Sequence, residues 1–200
     1  MINLVVAEDQ GMLLGAVAAL LNLEDDFTVV GKASDGKIAL EMCRNLQPDI
    51  VLTDIEMPHM SGIELAEQLN NDHFAGKLIV LTTFARAGYL RRAMDAGVRG
   101  YLLKDSPSEE LALAIRRVMN GRKVIDPELV VDAFEEQDPL SEKERKTLKL
   151  AADGLTTEQI AEAMFLSAGT VRNYLSNAAS KLHAQNRIEA ARIARQKGWL

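Results

Sequence analysis

Apolar positions in the first part of the chain fall in short clustered runs, separated by longer stretches in which they recur at helical spacing. Ile2–Ala7, Phe27–Gly31, Ile50–Thr53, Leu78–Thr82 and Gly100–Leu103 are short, apolar and bounded by polar or glycine-containing segments, the pattern of strands buried on both faces. Around them, apolar residues repeat every three or four positions over about Met12–Leu23, Gly36–Asn45, Gly62–Leu69, Gly88–Ala96 and Ser108–Asn120, and Pro107 with Ser108 suits a helix start. Strands alternating with helices predict an α/β domain built on a doubly wound, five-stranded parallel sheet. Such sheets bind ligands beyond the carboxyl ends of their strands, near the point where strand order reverses. Functional side chains are therefore expected at strand ends.

After Gly121 the pattern weakens. Arg122–Asp138 is polar, holds Pro127 and a run of acidic residues, and reads as a linker containing one short helix. Four helical segments follow, Ser141–Asp153, Thr157–Phe165, Gly169–Leu182 and Arg187–Lys197, with no strand among them. The expected organisation is an α/β domain over residues 1–121, a linker over 122–138 and an all-α four-helix domain over 139–200.

Composition permits this division without requiring it: 200 residues that are 48% hydrophobic suffice for two small cores. Charge separates the parts more sharply. Met1–Gln137 carries 13 basic and 22 acidic residues, net −9, whereas Asp138–Leu200 carries 10 and 7, net +3, together the −6 of the whole chain. An acidic first part repels nucleic acid, and a basic second part can meet phosphates and release their counterions. Cys43 is the only cysteine, which excludes an intrachain disulfide or a cysteine-rich metal site and points to a core residue. No apolar stretch approaches the ~20 residues of a membrane span, and the amino terminus lacks a basic segment followed by a long apolar core. A soluble cytoplasmic protein is expected.

Charged residues stand at the strand ends. Glu8 and Asp9 follow the first strand, Asp54 ends the third and Lys104 follows the fifth. Three carboxylates converging in one cleft repel one another unless a divalent cation compensates, so a Mg²⁺ site with oxygen ligands is expected, completed by a backbone carbonyl near Glu56, waters and a phosphoryl oxygen. Asp54 is then positioned as a nucleophile toward phosphorus, Lys104 offsets charge on the transferred group and the Thr82 hydroxyl can donate to a phosphoryl oxygen. Singly, each residue has an ordinary explanation: a helix cap, a strand terminator, a solvated lysine. Their joint placement at four strand ends favours the site. Gly31–Lys37 has the spacing of a nucleotide-binding loop, but Ile38 stands where a hydroxyl would hold Mg²⁺ and the segment follows the second strand; it reads as an ordinary turn.

In the basic part, the helices Thr157–Phe165 and Gly169–Leu182, joined by Leu166-Ser167-Ala168, form a candidate helix-turn-helix. Val171, Leu175, Ala178 and Leu182 share one face of the second helix. Asn173, Ser176, Asn177 and Ser180 share the other, flanked by Arg172 and Lys181. Such a face suits the major groove, where Asn pairs with adenine and Arg or Lys with guanine or phosphate; a solvated face in a small bundle fits the same pattern equally well.

The words Ala7-Glu8-Asp9-Gln10, Thr53-Asp54-Ile55-Glu56-Met57-Pro58, Leu81-Thr82-Thr83 and Gly100-Tyr101-Leu102-Leu103-Lys104-Asp105 resemble the flavodoxin-like receiver domain of two-component response regulators over residues 2–120. The resemblance implies that Asp54 is the phosphoacceptor, that Glu8, Asp9, Asp54 and the Glu56 carbonyl hold Mg²⁺, that Lys104 contacts the phosphoryl group, and that Thr82 and Tyr101 are a switch pair. Thr83 stands where many receivers have a smaller alanine. Pro139-Leu140-Ser141 with Glu144, Asp153–Ala161, Gly169–Tyr174 and Asn186–Ala190 resemble the LuxR-type DNA-binding domain from Pro139 onward, which makes Thr170, Arg172, Asn173, Ser176, Asn177, Lys181 and Arg187 the expected DNA contacts. Many relatives have a second basic residue at the place of Ser176, so affinity here leans on Arg172, Lys181 and Arg187.

The combined architecture is similar to the NarL/FixJ family of response regulators. It implies a sensor histidine kinase, promoter DNA and RNA polymerase as partners, a homodimer formed on phosphorylation through the first and last receiver helices, and no catalysis beyond the receiver's own phosphorylation and dephosphorylation. Leu21–Asp26, Leu81–Arg86 and Lys104–Leu111 carry a closer likeness, within that family, to regulators of a fatty-acid desaturase gene and membrane fluidity. Two rivals remain open at this point: a metal-dependent phosphatase that turns over at Asp54, and a phosphorylation-independent dimeric transcription factor whose receiver-like domain only dimerises.

Overall fold

The apolar runs of the first part assemble into one parallel sheet of β1 (Ile2–Ala7), β2 (Phe27–Ala33), β3 (Ile50–Asp54), β4 (Lys77–Thr82), β5 (Gly100–Leu103) and β6 (Val124–Ile125), in the order β2-β1-β3-β4-β5-β6. The computed structural model describes residues 1–83, 87–130 and 138–200, leaving aside the side chain of Ala87, and the chain divides into two compact units. Strand order reverses at β1, so the crevice between the ends of β1 and β3 is the expected ligand position of a doubly wound sheet. In register, Ala7 stands beside Thr53, Asp54 beside Leu81 and Thr82 beside Leu103. The carboxyl ends of four strands thus lie in one row.

Helices α1 (Gly11–Leu21), α2 (Gly36–Leu46), α3 (Gly62–Asn71), α4 (Ala87–Asp95) and α5 (Ser108–Met119) accompany the strands. Alternate residues Leu4, Val6, Ile50, Leu52, Ile79, Leu81 and Leu102 point to one face of the sheet and bury against Leu21 of α1 and Ala112, Ile115 and Val118 of α5. Burial of each large aliphatic side chain contributes roughly 1.5–3 kcal/mol. On the other face, α2 packs on β1 and β2 and against α3, burying Ala39, Leu40 and Cys43. Cys43 is a core thiol, which burial pushes up to about 12, far from a reactive thiolate.

The local chemistry of the helix starts is visible in the sequence. Ser61 with Glu64 forms a capping box at α3, and the Asp35 carboxylate accepts from the Ile38 amide at α2, which is the role of the segment that imitates a nucleotide-binding loop. Gly62 opens α3 where an added Cβ would lie 1.9 Å from the Asp54 carbonyl oxygen. Only a residue without a side chain lets α3 begin this close to the end of β3.

The second unit is helical: α6 (Glu142–Ala152), α7 (Thr157–Met164), α8 (Ala168–Lys181) and α9 (Arg187–Gln196). Leu148, Ile160, Val171, Leu175, Ala178, Ala190, Ala194 and Trp199 form its core. Capping boxes start α6 (Ser141, Glu144) and α7 (Thr156, Gln159), and Ser167 caps α8. The α/β class with an all-α four-helix unit after it is therefore observed.

Two differences from the sequence expectation have plain causes. The sheet has six strands rather than five, because Val124–Ile125 of the segment read as a linker pairs with Gly100–Tyr101; two residues are too few to carry a periodic signal. Residues 127–130 of that segment are helical, and the rest of the short helix expected there lies outside the described residues, as do Phe84, Ala85 and Arg86. Phe165 caps α7 in the left-handed region, at φ 55, instead of continuing it, its side chain 95% exposed.

Candidate functional site

Glu8 stands one residue beyond β1, with Asp9 next to it. Asp54 ends β3, Thr82 ends β4 and Lys104 follows β5. The sheet brings them together: carboxylate oxygens of Glu8, Asp9 and Asp54 lie within 4.8 Å of one another. Lys104 Nζ bridges two of them, 2.7 Å from Glu8 Oε2 and 2.9 Å from Asp54 Oδ2. The second Asp54 oxygen accepts from the Ile55 amide at 2.7 Å, and the Gln10 amide donates to Glu8 Oε1 at 3.2 Å. Asp54 is thus oriented from two sides.

Burial sets the electrostatics. Glu8 and Asp54 are buried and Asp9 is exposed. Burial, with help from the neighbouring Asp54 charge and against the hydrogen bond from Lys104, lifts the Glu8 carboxyl above its ordinary range. Burial also opposes the charge on Lys104, but hydrogen bonds to Asp54 and Glu8 outweigh it and hold the ammonium above the ordinary lysine range. Lys104 is a fixed cation at every physiological pH.

Three carboxylates and one ammonium leave a residual charge of −2 in a cleft of hard oxygen donors. That is the charge and the chemistry a Mg²⁺ ion matches. Glu56 follows in the β3–α3 loop two residues after Asp54, its side chain exposed.

Thr82 is buried and its carbonyl accepts from the Lys104 amide at 2.9 Å, so the end of β4 positions the lysine. Val80 pairs with Tyr101 and Thr82 with Leu103; Thr82 and Tyr101 therefore share a face of the sheet, two residues apart along the strands. The Tyr101 side chain is fully buried.

The apolar residues of α1 and α5 divide. Ile115 and Val118 are core, whereas Met12 is 91% exposed. Leu13, Val17, Leu20 and Leu111 line a groove of about 400 Å³ between α1 and α5. Arg116 closes this side of the unit, binding Glu24 and Asp26 and lying over the Phe27 ring.

In the helical unit, α8 buries Val171, Leu175 and Ala178 and leaves Arg172, Asn173, Ser176, Asn177, Ser180 and Lys181 exposed. Asn173, Ser176 and Asn177 carry no side-chain hydrogen bond among the described residues. Arg187, at the start of α9, is exposed. Arg172 lies 4.0 Å from Glu158, both more than two-thirds exposed, a pairing too weak to withhold the guanidinium from a phosphate. Two expected contacts have local partners. The Thr170 hydroxyl lies 2.9 Å from that of the cap Ser167, and Lys181 Nζ lies 2.7 Å from Glu144 Oε2. The Glu144 pairing, which ties α8 to the first turn of α6, was not legible, because it joins residues 37 apart. Gly62 was also missed; its signal is a poor helix former at the opening of a well-capped helix.

The response regulator receiver domain family matches residues 4–116, and the family of bacterial regulatory proteins of the luxR type matches residues 138–194. The chain is a response regulator of the LuxR family. It is 53% identical over 199 residues to the transcriptional regulatory protein DesR of Bacillus subtilis strain 168, covering 100% of this chain and 99% of DesR. It is 50% identical over 200 residues to the uncharacterized transcriptional regulatory protein YvfU of the same strain, covering both chains fully. Among solved structures it is similar to the response regulator ChrA of a heme-sensing two component system, at 32% identity and TM-score 0.59, covering 100% of this chain and 98% of ChrA. DesR and YvfU are transcriptional regulatory proteins, which places this LuxR-family regulator with DNA-binding proteins rather than with enzymes. Among its described residues no helix is long and apolar enough to cross a membrane.

Proposed function

We propose that this response regulator is a kinase-fed switch in which phosphorylation of Asp54 drives dimerisation and sequence-specific DNA binding. The observation that carries the reading is the convergence of Glu8, Asp9, Asp54 and Lys104 at the edge where strand order reverses. An Asp54 carboxylate oxygen attacks the phosphorus of a phosphohistidine on a sensor kinase; the new O–P bond forms as the N–P bond breaks, and the imidazole keeps the electron pair. Lys104 follows the phosphoryl oxygens as the negative charge moves off the carboxylate, and the Thr82 hydroxyl donates to one of them. Glu8, Asp9 and Asp54, with the Glu56 carbonyl, are the residues to hold Mg²⁺, which when bound offsets charge on the transferred group. The chemistry ends there: the receiver assists only its own phosphorylation and dephosphorylation.

Recruitment of Thr82 to the phosphoryl group changes the packing beside Tyr101, and this two-state shift biases a dimer through the exposed α1–α5 groove. The dimer presents two copies of α8 to half-sites about one helical turn apart. Thr170, Arg172, Asn173, Ser176, Asn177, Lys181 and Arg187 make the contacts, and RNA polymerase is recruited or excluded at the promoter. The functional division is a receiver over 1–121, whose sheet β6 prolongs, a linker over 122–138 and a DNA-binding domain over 139–200, in a cytoplasmic protein. The likeness to DesR supports a DesK-like membrane kinase as the phosphodonor and a fatty-acid desaturase gene as the target.

Acetyl phosphate and Mg²⁺ test the reading: intact-mass spectrometry should show one acid-labile phosphoryl increment, absent in Asp54→Asn. Sedimentation and operator binding should then shift together in the unsubstituted chain alone. If Asp54→Asn leaves both unaltered under phosphodonor, the protein is instead a phosphorylation-independent dimeric transcription factor.

A further inference from the structure

Lys77, Arg99 and Lys123 stand at the amino ends of β4, β5 and β6, the edge of the sheet opposite Asp54. Gly100 is in register with Ile79 on one side and Val124 on the other, so Arg99 and Lys123 enter neighbouring strands side by side and Lys77 stands one strand further on. The three line a cavity of about 370 Å³ whose wall also includes Asn70, Phe74 and Gly97. Among the described residues no aspartate or glutamate lines it, and none of the three cations has a carboxylate partner. Like charges opposite one another on paired strands are destabilising. The carboxyl ends of α3 and α4 reach this cavity through Asn70 and Ala96, and each offers about half a negative charge. Arg99 and Lys123 are exposed and Lys77 is half-buried, so this net positive edge is solvated and open to an anion from water.

A volume of this size falls in the range of small-ligand sites. Its chemistry is divided: cations on the strand side, including a guanidinium whose planar fork suits two phosphate oxygens, and the partly buried Phe74 ring on the other. We propose that this cavity binds a small phosphorylated anion, with phosphate oxygens held by Lys77, Arg99 and Lys123 and any aromatic portion laid against Phe74. The site is separate from the phosphoryl-transfer cleft and independent of the function proposed above. Its occupation ties β6, the two-residue edge strand, to β4 and β5.

Calorimetric titration of the full chain with inorganic pyrophosphate and, separately, ADP, in EDTA at low salt, tests it. One saturable pyrophosphate site per chain is expected, weakened about tenfold or more when two of the three charge-assisted contacts are removed in Arg99→Gln/Lys123→Gln and unchanged in Lys37→Gln, which removes an exposed lysine elsewhere on the same domain. Tighter binding of ADP than of pyrophosphate, lost in Phe74→Leu, assigns the aromatic wall. No saturable binding, equal binding in the double variant, or loss in Lys37→Gln would each overturn the proposal. Because Asp54 phosphorylation is read by mass in a separate assay, failure here leaves that reading standing.

Discussion

Replacing Lys104 with methionine removes one positive charge from between two buried carboxylates while keeping most of the side chain's length. The lysine, Glu8 and Asp54 side chains are 7%, 6% and 10% exposed, so water cannot take over the lost contacts. Removing one partner of a buried pair costs about 3–5 kcal/mol. Proton uptake by Glu8 limits the loss, because burial already raises that carboxyl, and the lower end, about 3 kcal/mol at pH 7, is expected. A carboxyl raised on folding contributes its stability below its ordinary value of 4.5 and loses it as pH rises through the raised value. The variant raises Glu8 further, so its stability optimum should move to lower pH. Magnesium supplies two positive charges to carboxylates that no longer have the lysine. At a hundred times its dissociation constant it returns about 2.7 kcal/mol, and it should stabilise the variant more than the unsubstituted chain. Native-state hydrogen exchange at the amides of β1, β3 and β4, in EDTA and in magnesium, reads the unit that carries the site, whereas Trp199 fluorescence reads the other. A loss below about 1 kcal/mol in EDTA, or equal gains from magnesium in both proteins, would refute the reasoning.

Arg172→Ala should weaken operator and non-operator DNA alike and lower the slope of log affinity against log salt by about 0.9, measured by fluorescence anisotropy over a salt series. Burial acts to raise the Glu144 carboxyl, but hydrogen bonds from Lys181 and from the Ser141 amide and hydroxyl outweigh it and hold it below 4.5. A depressed carboxyl contributes stability above its ordinary value and loses it as pH falls through the depressed one. Glu144→Gln should therefore cost about 1.5–3 kcal/mol at neutral pH and flatten the acid unfolding of the helical unit followed by Trp199 fluorescence.

Much of the architecture follows from local pattern. Runs such as Ile50–Thr53 are short and largely apolar on both sides, the pattern of a covered parallel strand, and Ser141 with Glu144 writes the start of α6 in four residues. Position along the chain also placed Glu8, Asp9, Asp54 and Lys104 at strand ends, because a parallel sheet directs every strand end to the same edge. What those residues do to one another was beyond local reading. Lys104 bridges Glu8 and Asp54 through space, and an ion pair that spans most of the receiver exists only once register has been fixed. The same holds for Ile115 and Val118, which share the periodicity of Met12 on α1 yet are core where Met12 is exposed: helical spacing marks an apolar stripe but not whether a neighbour covers it. Sequence determined which segments are strand or helix and which chemistry meets at the sheet's edge, since both depend on neighbours along the chain. Tertiary packing alone decided the pairing of Lys181 with Glu144, the recruitment of β6 and the full burial of Tyr101, since each depends on a contact between segments far apart in sequence.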